Sequence, residues 1–109
     1  MNNDFYENIE IYKIHANFCK MFSNEKRLQI LWKVSEKERS VSELAKELGL
    51  SIPNVSQHLR IMREKGAVTE RKAGKMVYYR VSNEKIIKGY KLIKEALIEI
   101  QQLKAKILA

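Results

Sequence analysis

Between Ser51 and Lys75 the chain sets out side chains that can hydrogen-bond a nucleic acid. The amides of Asn54 and Gln57 can each bond an adenine edge in two places. Arg60 can do the same to guanine or hold a phosphate, and Ser56 can donate to phosphate. Ser51, Pro53, His58 and Arg63 share this stretch, and Arg71, Lys72 and Lys75 follow it with Arg80 close behind. Ser56, Asn54, Gln57 and Arg60 are therefore expected to read or flank bases, and Arg63, Arg71, Lys72 and Lys75 to bind the backbone. His58 suits packing or a phosphate contact better than catalysis. There is no Gly-rich phosphate loop, no nucleophile with a base and orienter at recognisable spacing, and no metal motif, so enzymatic activity is not expected.

The remaining reactive pair is His15 and Cys19, whose i,i+4 spacing puts both on one helical face. Across a two-fold axis they would give two His and two Cys, a tetrahedral zinc-type set. Two ligands per chain is a thin basis, and Cys19 lies among Phe18, Met21 and Phe22, where a buried, inert thiol is expected. A redox role lacks a second cysteine to resolve an oxidised thiol. No metal and no cofactor is expected.

These side chains need a scaffold, and the apolar spacing describes one. In Val41–Ser51, Leu44, Ala45 and Leu48 share a helical face, and Gly49 ends that helix in a left-handed conformation. Ser51 can cap the next helix, with Pro53 in its first turn, so two helices are separated by a turn of about three residues. From Ile52 to Lys65 the stripe Ile52, Val55, Leu59, Met62 is expected to be buried, leaving Pro53, Asn54, Gln57, Arg60 and Glu64 outward. Gly66 closes this helix. Ala67–Lys72 and Met76–Val81 are rich in β-branched or aromatic residues around Ala73-Gly74-Lys75, which reads as a two-stranded hairpin with a basic tip. Helix, turn, helix and hairpin in that order describe a winged helix-turn-helix: mainly α, about five helices plus a two-stranded wing.

The flanks are helical as well. A helix from about residue 4 to 22 carries Ile11, Ile14, Phe18, Met21 and Phe22 on one face, and Phe5, Tyr12, Ala16 and Cys19 on another. Another helix starts near Ser23 or Asn24 and buries Leu28, Ile30 and Leu31, with Trp32 and Val34 as further candidates. The last, capped by Ser82 or Asn83, runs from about residue 84 to 107 and repeats Ile86, Tyr90, Ile93, Leu97 and Ile100 at steps of four and three. Leu92, Leu103 and Leu108 widen its apolar surface. At about 1.5 Å per residue it would be near 35 Å long, more than the small domain can cover, so it points to a two-fold dimer. The expected interface comprises Ile11, Ile14, Phe18, Ile86, Tyr90, Ile93, Leu97 and Ile100.

With 109 residues, 45% hydrophobic residues and one Pro, the sequence fits a single domain: a DNA-binding core over about 24–81 between dimerisation helices over about 4–22 and 84–107. Lys and Arg number 21 against 13 Asp and Glu, a net charge of +8, which favours double-stranded nucleic acid and, more weakly, an anionic membrane surface. No apolar run approaches the roughly 18 residues of a membrane span. With no signal-like start and a single cysteine, a cytoplasmic protein without membrane association is expected.

Ser23-Asn-Glu-Lys-Arg-Leu-Gln-Ile-Leu31, Val41-Ser-Glu-Leu-Ala45, Asn54-Val-Ser-Gln-His-Leu59, Gly66-Ala-Val68 and Gly74-Lys-Met-Val-Tyr-Tyr79 together resemble the ArsR family of bacterial and archaeal regulators over nearly the whole chain. The resemblance implies a homodimeric winged-helix repressor on a pseudo-palindromic operator, paired through its first and last helices, with an effector, often a metal, that weakens binding. The metal half departs from the pattern. Arsenic- and cadmium-sensing members carry Cys-Val-Cys-Asp-Leu where this chain has Ser40-Val41-Ser42-Glu43-Leu44, and the last helix lacks the Asp and His that zinc-sensing members supply. Two other readings stay open: a basic architectural protein that coats DNA with little sequence preference, and a winged-helix protein-interaction module, for which an exposed Ile61 would speak.

Overall fold

The computed structural model describes residues 8–108. Its helices are α1 (Ile9–Cys19), α2 (Glu25–Glu36), α3 (Val41–Leu48), α4 (Ile52–Glu64) and α5 (Glu84–Leu108), with a 3-10 turn over Lys20–Ser23. The strands are β1 (Arg39–Ser40), β2 (Val68–Ala73) and β3 (Met76–Val81). Each boundary has a local cause. Asn24 accepts from the backbone of Lys26 and Arg27 to start α2. Ser40 and Glu43 close a capping box on α3, and Gly49, at φ 66°, ends it. Ser51 accepts from Asn54 N at 3.2 Å to open α4, and Gly66 follows that helix at φ 83°. Gly74, at φ 62°, takes the first of two loop positions between β2 and β3, where a tight hairpin needs a positive φ.

The core is one cluster. Met21, Ile30, Leu31, Val34, Leu44, Ala45, Val55, Leu59, Met62, Ala67 and Val68 are buried together. Helices α2, α3 and α4 meet there, and the sheet closes one side with strand order β1-β3-β2, antiparallel throughout. Residues paired across β2 and β3 share a face. Val68 with Val81, Glu70 with Tyr79 and Lys72 with Val77 therefore turn toward the helices, and Arg71 with Tyr78 turns away.

Several expectations need correction. The wing is part of a three-stranded sheet, because Arg39 and Ser40 pair with Tyr79 and Tyr78. The first helix is shorter than expected: α1 stops at Cys19 and the chain tightens into the 3-10 turn, while residues 4–7, including Phe5, lie outside the described residues. Ile52 is 54% exposed, since at the first position of α4 the chain has only just entered the packed layer. Ile61 is partly covered rather than exposed, as are Leu28 and Trp32 in α2. Cys19 is exposed: Met21, fully buried, occupies the core place beside it.

Helix α5 divides into two parts. Ile86 and Tyr90 pack against the core, with the Tyr90 ring 6.1 Å from Trp32, so these two expected interface residues serve the fold first. Beyond them the apolar side chains are no longer buried, and Leu92, Ile93, Leu97, Ile98, Leu103 and Ile107 are all at least half exposed. The radius of gyration, 16.4 Å, exceeds the roughly 13 Å of a compact chain of this length. No described helix is long and apolar enough to cross a membrane.

Candidate nucleic-acid interface

Helix α4 presents its outer surface because its inner one is fully committed. Val55, Leu59 and Met62 have no solvent exposure. Pro53, Asn54, Ser56, Gln57 and Arg60 are all exposed, and Pro53, Ser56, Gln57 and Arg60 line one shallow polar depression. One side chain from each of four groups is thus available on a single rigid helix: a ring, a hydroxyl, an amide and a guanidinium. Such a helix suits a major groove, about 12 Å wide, in which amide and guanidinium forks meet base edges. Arg60 lies 4.0 Å from Glu64, both well exposed, a contact loose enough to yield to a base or phosphate.

The flanks of α4 are tied to the rest of the molecule. On one side Lys65 Nζ donates to Asn17 Oδ1 of α1 at 2.7 Å. On the other, Arg63 Nη1 donates to Glu70 Oε2 of β2 at 2.8 Å, and the Tyr79 hydroxyl donates to the same oxygen at 3.3 Å. Burial, then the nearby Glu70 carboxylate, pushes the Tyr79 phenol up, so it remains a donor. Ser82 Oγ donates to the Gly66 carbonyl at 2.6 Å, fastening the end of β3 to the end of α4.

His58 is half-buried, and its Nδ1 is enclosed without a hydrogen-bond partner. Burial, followed by the Arg27 guanidinium, holds its pKa below the ordinary imidazole value. The ring is thus only partly open to the surface on which Asn54, Ser56, Gln57 and Arg60 stand.

The wing cations separate by face. Lys72 lies on the α4 side of the hairpin and Lys75 at its tip, both exposed and without an ion pair among the described residues. Arg71 lies on the far side, where its Nε and Nη2 reach Glu38 at 3.1 and 2.5 Å and its guanidinium sits 5.1 Å from the Tyr78 ring centroid. This pairing, foremost through the hydrogen bond, draws the Glu38 carboxyl below its usual range. Two of the four cations expected on the backbone, Arg63 and Arg71, are therefore already partnered inside the chain.

Sequence reasoning missed Arg39. It is buried, bonds Glu47 at 2.7 Å and donates to the carbonyls of Lys33 and Lys37, so it joins the end of α2 to β1 and α3. Its only sequence signal is its place just before the Ser40 cap.

His15 and Cys19 are both exposed on α1. No group of three or more candidate metal ligands occurs among the described residues. Cys19 borders an apolar groove of about 360 Å³, walled by Phe22, Leu28, Tyr90, Ile93 and Leu97.

Comparison with known proteins gives one consistent picture. The model of the bacterial regulatory protein, arsR family, matches residues 24–70. The HTH-type transcriptional regulator KmtR of Mycobacterium tuberculosis is 39% identical over 67 residues, 62% of this chain. The chain spans about half of KmtR, 52% of its length. The uncharacterized HTH-type transcriptional regulator Rv0081 of the same organism is 35% identical over 77 residues, 70% of this chain and 68% of Rv0081. Its crystal structure superposes with a TM-score of 0.80 at 29% identity, covering 87% of this chain and 96% of that one. HlyU of Vibrio cholerae, named a transcriptional activator, is 42% identical over 67 residues, 62% of each chain. Its structure gives a TM-score of 0.72 at 34% identity, covering 78% of this chain and 92% of HlyU.

Proposed function

Because the chain belongs to the arsR family of bacterial regulatory proteins, we propose that it is a homodimeric, sequence-specific DNA-binding transcriptional regulator that acts as a repressor by occupying promoter DNA. The observation that carries this reading is the exposed surface of α4, where Pro53, Asn54, Ser56, Gln57 and Arg60 face solvent opposite a fully buried stripe. Asn54, Gln57 and Arg60 read base edges, with Ser51, Pro53 and Ser56 at the margin of the groove. Lys72 and Lys75 hold the backbone. Arg63 and Arg71 support the wing, and His58 supports the packing of α4.

Dimerisation is part of the function. The uncovered apolar length of α5, with Ile93, Leu97 and Ile100 exposed, and the exposed Ile14 of α1 form a surface that water would penalise. A second copy covers it, with Ile11 and Phe18 partly buried beneath. Two-fold pairing then sets two α4 helices about one DNA turn, roughly 34 Å, apart over a pseudo-palindromic site.

The architectural reading explains the charge but leaves the Asn, Ser and Gln face without a purpose. The protein-interaction reading, with the long last helix as its working surface, loses its best sequence support with the partial burial of Ile61. Competition binding tests the proposal: a duplex from the DNA flanking the protein's own gene against random duplex of equal length. A preference of about a thousandfold or more is expected, and a ratio near one overturns it. Whether bound protein lowers or raises transcription is read from a reporter carrying that DNA, and the proposal requires that it be lowered.

A further inference from the structure

The Arg63–Glu70 pair lies on the face of the hairpin turned toward α4, the face that also carries Lys72. Arg63 is on the wing side of the recognition helix, and its side chain is 46% exposed while that of Glu70 is 29% exposed. Arg63 is three residues from Arg60 on α4, and its partner Glu70 is two residues from Lys72 on the same face of β2, so the pair lies between two groups assigned above to DNA. Yet the carboxylate 2.8 Å away cancels the charge of Arg63. The cancellation does not depend on Arg63 staying in place. If the guanidinium swung to a phosphate, Glu70 would be left facing the polyanion, and the pair would still contribute no net charge.

We propose that Glu70 is a counter-charge that sets the sequence-independent part of DNA affinity: by neutralising Arg63 it lowers by one the number of phosphates the protein neutralises. This rests on the DNA-binding reading above. Glu38 provides an internal comparison, because it holds Arg71 in the same way on the opposite face of the hairpin, away from α4.

The test is a salt titration of binding to a random-sequence duplex and to a preferred duplex, with the full chain and four variants. Glu70→Gln and Glu38→Gln raise net charge equally. Glu70→Gln keeps an acceptor for Tyr79 and is expected to steepen the slope of log K against log salt by about 0.9, about a threefold greater loss of affinity for each fourfold rise in salt. Its gain at low salt is the same on both duplexes, because a phosphate contact carries no sequence information. Arg63→Gln alone leaves Glu70 uncompensated and weakens binding to both. The double variant, Glu70→Gln with Arg63→Gln, returns to the wild-type slope. Glu38→Gln moves the slope by less than half as much as Glu70→Gln.

A Glu70→Gln slope equal to wild type overturns the proposal, as does a double variant that keeps the Glu70→Gln slope or binds more weakly than wild type. Equal effects of Glu70→Gln and Glu38→Gln also overturn it, reducing it to overall charge. Failure of the wild-type protein to bind either duplex is a different result, which removes the DNA-binding reading itself.

Discussion

Gln57 and Lys75 occupy opposite ends of the chemistry assigned to the DNA surface, one an amide on α4 and the other an ammonium at the wing tip. Gln57→Ala is expected to change the preferred sequence at about one position, costing about 1–3 kcal/mol there. Lys75→Ala should weaken every sequence alike and flatten the salt slope by about one phosphate. Binding isotherms on a panel of single-base variants at two salt concentrations separate the two effects. Helical spacing was enough to put Gln57 on the outer surface of α4, and the Gly74 turn to put Lys75 at the hairpin tip. They could not reveal that Arg63 and Arg71 already hold Glu70 and Glu38, because the second pair joins residues 33 apart in sequence. Nor could they show that His58 turns inward, with its pKa lowered by burial first and Arg27 second. In the unfolded chain that ring binds a proton more readily than in the fold, so stability rises with pH through the ordinary imidazole range and falls on acidification. The thermal midpoint should drop as pH is lowered through about 6.5, and His58→Gln should remove that component.

At the scale of elements, caps and periodicity made α2, α3, α4 and the hairpin legible, because each boundary is set by a local group: Asn24, Ser40, Gly49, Ser51, Gly66, Gly74. Strand β1 was not legible. Two residues carry no alternation to read, and Arg39–Ser40 becomes a strand only when β3 is beside it. Arg39 shows the same non-local dependence, being a charged residue that is buried because Glu47 and two carbonyls surround it. Arg39→Ala removes those bonds at once and is expected to cost about 2 kcal/mol in denaturant unfolding. The two parts of α5 behave differently under substitution. Tyr90 packs on Trp32, so changes there affect the fold. Leu97, 53% exposed, lies at the open edge of the apolar groove and outside the buried core cluster. Leu97→Glu should leave the unfolding of the single chain nearly unchanged while converting the dimer to monomer in light scattering.

In the whole molecule two surfaces stand apart: an outward α4 with its lysine-bearing wing, and the exposed apolar length of α5. Lys65 at the end of α4 bonds Asn17 of α1, and in the proposed dimer the spacing of the two α4 helices would follow from how α1 and α5 pair. A dimer built this way reads two copies of one short sequence in opposite orientations. Selection from a pool of randomised duplexes, with the full chain at physiological salt, tests this most directly. The enriched sequences should converge on an inverted repeat whose half-sites are about 10 base pairs apart, centre to centre. A pool that remains unenriched after repeated rounds, or that converges on a single unrepeated site, would contradict the account.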